Sequence, residues 1–303
     1  MEDLFFFFGN GGGTCKTLDD VKKFAWAPLT HIEVGSITVE QRFGNDANGG
    51  VVFYVDDRGT TWNAIGMTNG GLEYYRRALP EMLAVAKNAG KELIVNIAAI
   101  KPGDTEKLCQ LCVDAGVRSI VYNGGCPNAW DQGVQKKIVS HDPEALAREM
   151  LSIFSVIGGK RIRVFVKFTA FTTNDALRGE VAAVLRSYPV TILGPNTLPN
   201  QRPLRPDGKP AISFRSGEQE INTGGMGGTA LRRYALQELE AFRRLLPNHP
   251  LVSLGGIATG NDLLERLSRG AIGVQVASAY YTTEDLRVFS NILTEYADLI
   301  PQP

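Results

Sequence analysis

Eight short apolar runs, spread along the whole chain and separated by helical patterns, constrain this sequence more than any other feature. They are FFFF (5–8), THIEV (30–34), LIVNIAA (93–99), SIVYN (119–123), RVFVKF (163–168), VTIL (190–193), LVSL (251–254) and GVQVA (273–277). Each reads as continuous rather than alternating, as expected of a strand buried on both faces. Between them lie LDDVKKFA after Thr17, LEYYRRALPEMLAVAKNAG up to Gly90, DTEKLCQLCVDAG from Asp104 and DPEALAREMLSIFSVIG from Asp142. NDALRGEVAAVLRSY from Asn174, ALRRYALQELEAFRRLL after Thr229, DLLERLSRG up to Gly270 and EDLRVFSNILTEYADLI follow. Polar caps precede these helices and glycines end several of them. Pro80 is expected to kink or break the second.

Eight strand–helix units are what a (β/α)8 TIM barrel requires, and 303 residues accommodate one as a single domain, 1–303. An open doubly wound sheet would show fewer units and a phosphate turn after its first strand. Here that turn is Gly9-Asn10-Gly11-Gly12-Gly13, and the dinucleotide fingerprint fails at Thr14. Two segments exceed a minimal barrel, residues 38–69 after the second strand and 197–228 after the sixth. Both follow strand C-termini, the end where barrels build active sites, and loops this long are usually functional or disordered.

Composition removes several classes. A formal net charge of zero argues against a nucleic-acid or anionic-membrane partner. Four cysteines make no disulfide framework, so a reducing cytoplasm is expected. The FFFF run follows Glu2 and Asp3 rather than a basic segment, unlike a signal peptide, and no apolar stretch has the length of a bilayer span.

The strand ends carry residues that a core does not need. Gly11, Gly12 and Gly13 after strand one allow backbone to approach a flat ligand, though such turns also occur without one. Lys167 sits inside an apolar strand, where a lysine needs a partner. It reads either as a structural ion pair or as a cation held over a developing anion. Turns at Gly255-Gly256 and Ala277-Ser278, after strands seven and eight, suit a phosphate cradle. After strand four stands NGGCPN (123–128), an exposed, rigid turn on which Cys126 has the setting of a base or nucleophile rather than of a small apolar filler. Cys109-Gln110-Leu111-Cys112 lies mid-helix without a second such pair, and core packing explains it better than metal.

NGGCPN resembles the NLSCPN turn of class 1 dihydroorotate dehydrogenases, which use cysteine as base. The likeness continues in order through NGGGT, TVEQRFGN, NAIGMTN, VFVKF, GGMGGTAL and LGGIATGNDLLERLSRGAIGVQVASA. It implies a TIM barrel binding FMN and oxidising dihydroorotate to orotate, with Cys126 taking the C5 proton while the C6 hydride passes to the flavin. By the same resemblance Asn63, Asn123, Asn128, Asn196 and Thr197, with Ile65, Gly66 and Met67, contact substrate. Gly11, Gly12, Lys167, Gly228, Gly255, Gly256, Ala277 and Ser278 contact FMN. A cytoplasmic homodimer with fumarate as electron acceptor completes the implied picture. The family's lysine before the T-L-E-x-R segment has no counterpart here, where Glu33-Val34-Gly35-Ser36 stands. Another dihydropyrimidine, a lactam or an enone is the alternative substrate, and a flavin- or nucleotide-binding barrel without turnover the alternative class.

Overall fold

The computed structural model describes residues 6–47, 49–131 and 133–300. Its eight parallel strands are β1 (Phe7–Asn10), β2 (His31–Ile37), β3 (Glu92–Ile97), β4 (Ser119–Asn123), β5 (Arg163–Lys167), β6 (Val190–Gly194), β7 (Leu251–Leu254) and β8 (Gly273–Val276). Each pairs with its neighbour in chain order, and β1 pairs with both β8 and β2, which closes the barrel. The first strand begins two residues later than the FFFF run; Phe5 lies outside the described residues.

Strand alternation sorts the apolar runs into two faces. On β5, Val164 and Val166 pack in the large core against the helices, whereas Phe165 joins an inner cluster with Phe7, Ile94, Val121, Leu193 and Val252. The same alternation holds on β3, where Leu93, Val95 and Ile97 face outward and Ile94 inward. Residues two positions beyond the inner apolar layer therefore also point inward, toward the strand C-termini. Those residues are polar: Asn96 after Ile94, Asn123 after Val121 and Lys167 after Phe165. The barrel interior thus changes from a dry floor to a polar layer within one pleat.

The helices are α1 (Leu18–Phe24), α2 (Gly71–Asn88), α3 (Asp104–Asp114), α4 (Pro143–Ile157), α5 (Asp175–Leu185), α6 (Arg232–Leu245), α7 (Gly260–Ser268), α8 (Ser278–Tyr281) and α9 (Arg287–Leu299). The expected caps are present: Thr17 forms a capping box with Asp20, and the Asp142 carboxylate accepts from the Ala145 N–H at 2.9 Å. Cys109 and Cys112 are fully buried in the core, as expected of packing residues.

Two expectations about the helices need correction. Pro80 does not break α2, which runs unbroken through it with Leu72, Tyr75, Leu79, Met82 and Ala86 buried along one face. Pro80 and Arg76, whose carbonyl loses its helical partner, are both exposed, so water can serve that carbonyl. The helix after Thr229 starts only at Arg232, following a 3-10 turn at Thr229–Leu231. The short helix α8 is a further element that the sequence reading passes over.

The two long insertions meet over the barrel mouth. Phe53–Val55, Thr60–Asn63, Gly224–Gly228 and Leu198–Gln201 form a four-stranded antiparallel sheet. Gly50–Val51 joins Ser213–Ser216 and Gln219–Ile221 in a second small sheet. Each sheet draws strands from both insertions, so neither insertion stands alone.

Candidate active site

The polar layer and the insertion sheets enclose a cavity of about 440 Å³, within the range of small-ligand and cofactor sites. Cys126 lines it, on the turn after β4. That turn is not exposed as the sequence suggests: Asn123, Gly124, Gly125 and Asn128 are buried, and only Cys126 is half-buried. The cause is the covering insertion. The Asn45 amide donates to the Asn128 carbonyl at 2.9 Å, and the Asn128 amide donates to the Asn63 carbonyl at 2.8 Å. Below, the turn presses on the end of β5. A Cβ on Gly125 would come within 2.5 Å of the Phe168 carbonyl carbon, so only glycine fits there.

Burial pushes the Cys126 thiol above its ordinary value. The Asn128 N–H and the charges of Lys136, Arg42 and Lys167 pull in the opposite direction. The group is therefore a thiol in the resting protein whose thiolate has cationic support nearby. Lys136 comes from the loop beyond the turn and is tied to the Ala99 carbonyl. Nothing local in the sequence marks it, because its approach depends on that loop folding back.

Asn63, Asn123, Asn128, Asn196 and Thr197 also line the cavity. The Asn123 amide donates to Ser36 Oγ at 2.8 Å, and Asn196 donates to the Gly125 carbonyl at 3.3 Å. Thr197 Oγ1 and Gln275 Oε1 are buried with no hydrogen-bond partner among the described residues, although both residues line the cavity. Orphaned buried polar atoms are costly, and a bound ligand would satisfy them.

Lys167 lines the cavity and is 1% exposed. Its ammonium lies 2.6 Å from the Glu33 carboxylate, which the sequence reading passed over inside THIEV. Glu33 Oε1 also accepts from the Asn96 amide at 2.6 Å, and Oε2 accepts from the Gln275 amide. The signal was available: a glutamate in a strand buried on both faces needs a partner as much as a lysine does. Lys16 is a second residue missed. It lines the cavity, burial lowers its ammonium's pKa, and among the described residues no carboxylate lies within 4.0 Å of that ammonium.

Gly12, Gly228, Gly255, Gly256, Ala277 and Ser278 also line the cavity, as do Ile65, Gly66 and Met67 of the insertion. Gly255 and Gly256 take φ of +103° and +73°, backbone that side chains rarely adopt. The Gly228 N–H donates to Ser278 Oγ at 3.1 Å, and Thr61 Oγ1 lies 3.0 Å from the same hydroxyl. Gly11 stands apart from the lining: a Cβ there would meet that of Ala277 at 2.6 Å, so it packs behind the wall.

A closed barrel with a thiol over a cation-bearing polar floor, ringed by amides and flanked by a glycine-rich cradle, belongs to the class of barrel oxidoreductases that hold a flat cofactor. The family model described as dihydroorotate dehydrogenase matches residues 6–300, and the chain belongs to that family, whose members are flavoproteins oxidising CH–CH bonds. It is 25% identical to the dihydroorotate dehydrogenase A (fumarate) of Lactococcus lactis subsp. cremoris (strain MG1363), over 98% of this chain and 90% of that protein. It is 26% identical to the catalytic subunit of the dihydroorotate dehydrogenase B (NAD(+)) of Listeria welshimeri, over 88% of this chain and 80% of that one. The crystal structure of an Eimeria tenella DHODH in complex with ferulenol shares the fold, with a TM-score of 0.78 at 18% identity, covering 96% of this chain and 80% of that chain.

The residues present fit a flavin mononucleotide. Gly255 and Gly256 place no side chain over backbone that lines the cavity, where a phosphate needs N–H donors, and the orphaned Gln275 and Thr197 oxygens offer acceptors to the ring N–H and ribityl O–H groups of a flavin. Among the described residues no helix is long and apolar enough to cross a membrane.

Proposed function

We propose that this protein oxidises dihydroorotate to orotate with FMN as its cofactor. The observation that carries the reading is the convergence of Cys126, Lys167, Asn63, Asn123, Asn128 and Asn196 on one cavity. FMN supplies the acceptor for the hydride that leaves C6. Cys126, as thiolate, takes the C5 proton, so that the C5–H electron pair becomes the new C5=C6 bond. The asparagines orient the ring, since each offers both a donor and an acceptor to a ring of amides. Lys16 offers its charge to the substrate carboxylate. Gly228, Gly255, Gly256 and Ser278 hold the phosphate end. The insertion sheets narrow the access of bulk water to the thiol, which is half-buried.

The reading takes fumarate as electron acceptor, after the Lactococcus relative named for it, and, on the family resemblance, a cytoplasmic homodimer; fumarate-dependent reoxidation tests the acceptor and sedimentation the oligomeric state. One observation favours a second substrate class: the charge of Lys167 is matched by Glu33, which suits an uncharged dihydropyrimidine, lactam or enone.

Purified protein is expected to be yellow, and dihydroorotate added without oxygen to bleach the flavin band. A yellow protein bleached by dihydrouracil or a simple enone but not by dihydroorotate supports the second substrate class. Colourless protein that takes up no added FMN refutes both.

A further inference from the structure

Glu33 does not line the cavity, yet its carboxylate gathers side chains from three other strands beneath it. It lies 1% exposed on β2, with Lys167 of β5, Asn96 of β3 and Gln275 of β8 converging on its two oxygens. Its backbone is pinned as well: the Asn10 side chain accepts from the Glu33 N–H at 2.9 Å and donates to its carbonyl at 2.8 Å. A Cβ on Gly12 would stand 2.5 Å from Glu33 Oε1 and 2.7 Å from Lys167 Nζ. The ion pair therefore sits directly under a backbone segment that lines the cavity.

We propose that Glu33 is a positioning residue that lowers the reduction potential of the flavin by opposing the charge of Lys167. The inference rests on the reading that the cavity holds FMN. Two-electron reduction places negative charge on a flavin. A lone buried ammonium beneath it stabilises that charge, because no water screens the interaction. A carboxylate 2.6 Å from the ammonium, equally buried, cancels much of that field. The reduced cofactor becomes a readier electron donor to the acceptor, and substrate oxidation becomes the less favourable half of the cycle. Asn96 and Gln275 keep the carboxylate from turning away, so the cancellation is built into the barrel.

Glu33→Gln removes the charge and keeps the shape. The Gln275 amide can turn over to present its unpartnered Oε1 to the new amide nitrogen. In FMN-loaded protein, titrated against redox dyes and followed by absorbance, E33Q is expected to shift the oxidised–reduced equilibrium at least tenfold toward reduced. For a two-electron couple that is a rise of about 30 mV. E33D keeps the charge but draws it back from Lys167, and its potential is expected between those of wild type and E33Q. A purely structural role would lower melting temperature or FMN affinity without moving the potential. Yellow wild type with E33Q at the same potential overturns this inference alone. Should E33Q not retain FMN, E33D decides, and an unchanged potential in it overturns the inference. Wild type that takes up no FMN overturns the functional reading and this inference with it.

Discussion

The Lys167 ammonium and the Glu33 carboxylate meet at 2.6 Å inside the barrel, 134 residues apart in sequence and three strands apart around the sheet. Either one alone would be costly to hold there, since a solitary buried charge costs several kcal/mol. The pair resolves the two readings that the lysine allowed. Lys167 is a structural ion pair, and it also faces the cavity, so the same contact serves stability and sets the charge offered to a ligand.

Cys126 is a thiol held up by burial, so its basic form grows as pH rises. The rate of flavin reduction by substrate in stopped flow is expected to climb through the alkaline range. Cys126→Ser should lower it roughly 100-fold or more, because serine is a far weaker acid. Lys136→Met removes one charge supporting the thiolate and should move the profile further alkaline, leaving the plateau rate near wild type.

Thr197 carries a buried hydroxyl oxygen with no partner among the described residues. Thr197→Val should therefore leave the thermal midpoint of ligand-free protein unchanged or slightly raised. If that hydroxyl serves the ligand, KM should rise roughly tenfold, the cost of about one hydrogen bond left unmade. Both readouts come from one preparation.

Arg178 of α5 holds Glu238 of α6 through two hydrogen bonds, at 2.8 and 3.1 Å, and Glu238 in turn accepts from the Phe171 N–H at 2.8 Å. The network ties down the segment that follows β5. Arg178→Met leaves the buried Glu238 carboxylate without its cation and is expected to cost about 3 kcal/mol in chemical denaturation. Replacing both, as R178M/E238Q, should recover part of that loss.

His31 lies beneath Glu33 on β2, its ring stacked on Phe7 at 4.2 Å between centroids. Burial lowers its pKa to about 4, with Glu92 acting to raise it and Arg163 to lower it. The unfolded chain takes a proton near pH 6.5, so between those values the unfolded state binds more protons. Stability is complete above pH 6.5 and falls as pH drops toward 4, by on the order of 3 kcal/mol in total. Denaturation midpoints for wild type and His31→Gln between pH 7 and 4 check this, the variant losing the share that His31 contributes.

The sequence by itself determined the barrel. Eight continuous apolar runs with amphipathic helices between them are local patterns, and each strand was legible because burial on both faces leaves its mark residue by residue. It also pointed to Cys126, Lys167 and the asparagines, which stand at strand ends where a core has no use for them. Tertiary structure alone decided what those residues meet. Asn96 looked like one polar position in LIVNIAA and Glu33 like one in THIEV, until closure brought them onto Lys167. The cover over Cys126 has the same origin, since two insertions more than a hundred residues apart share its sheets. Periodicity is written in neighbouring residues, whereas charge pairing and solvent exclusion arise between distant ones, and only the closed barrel sets those distances.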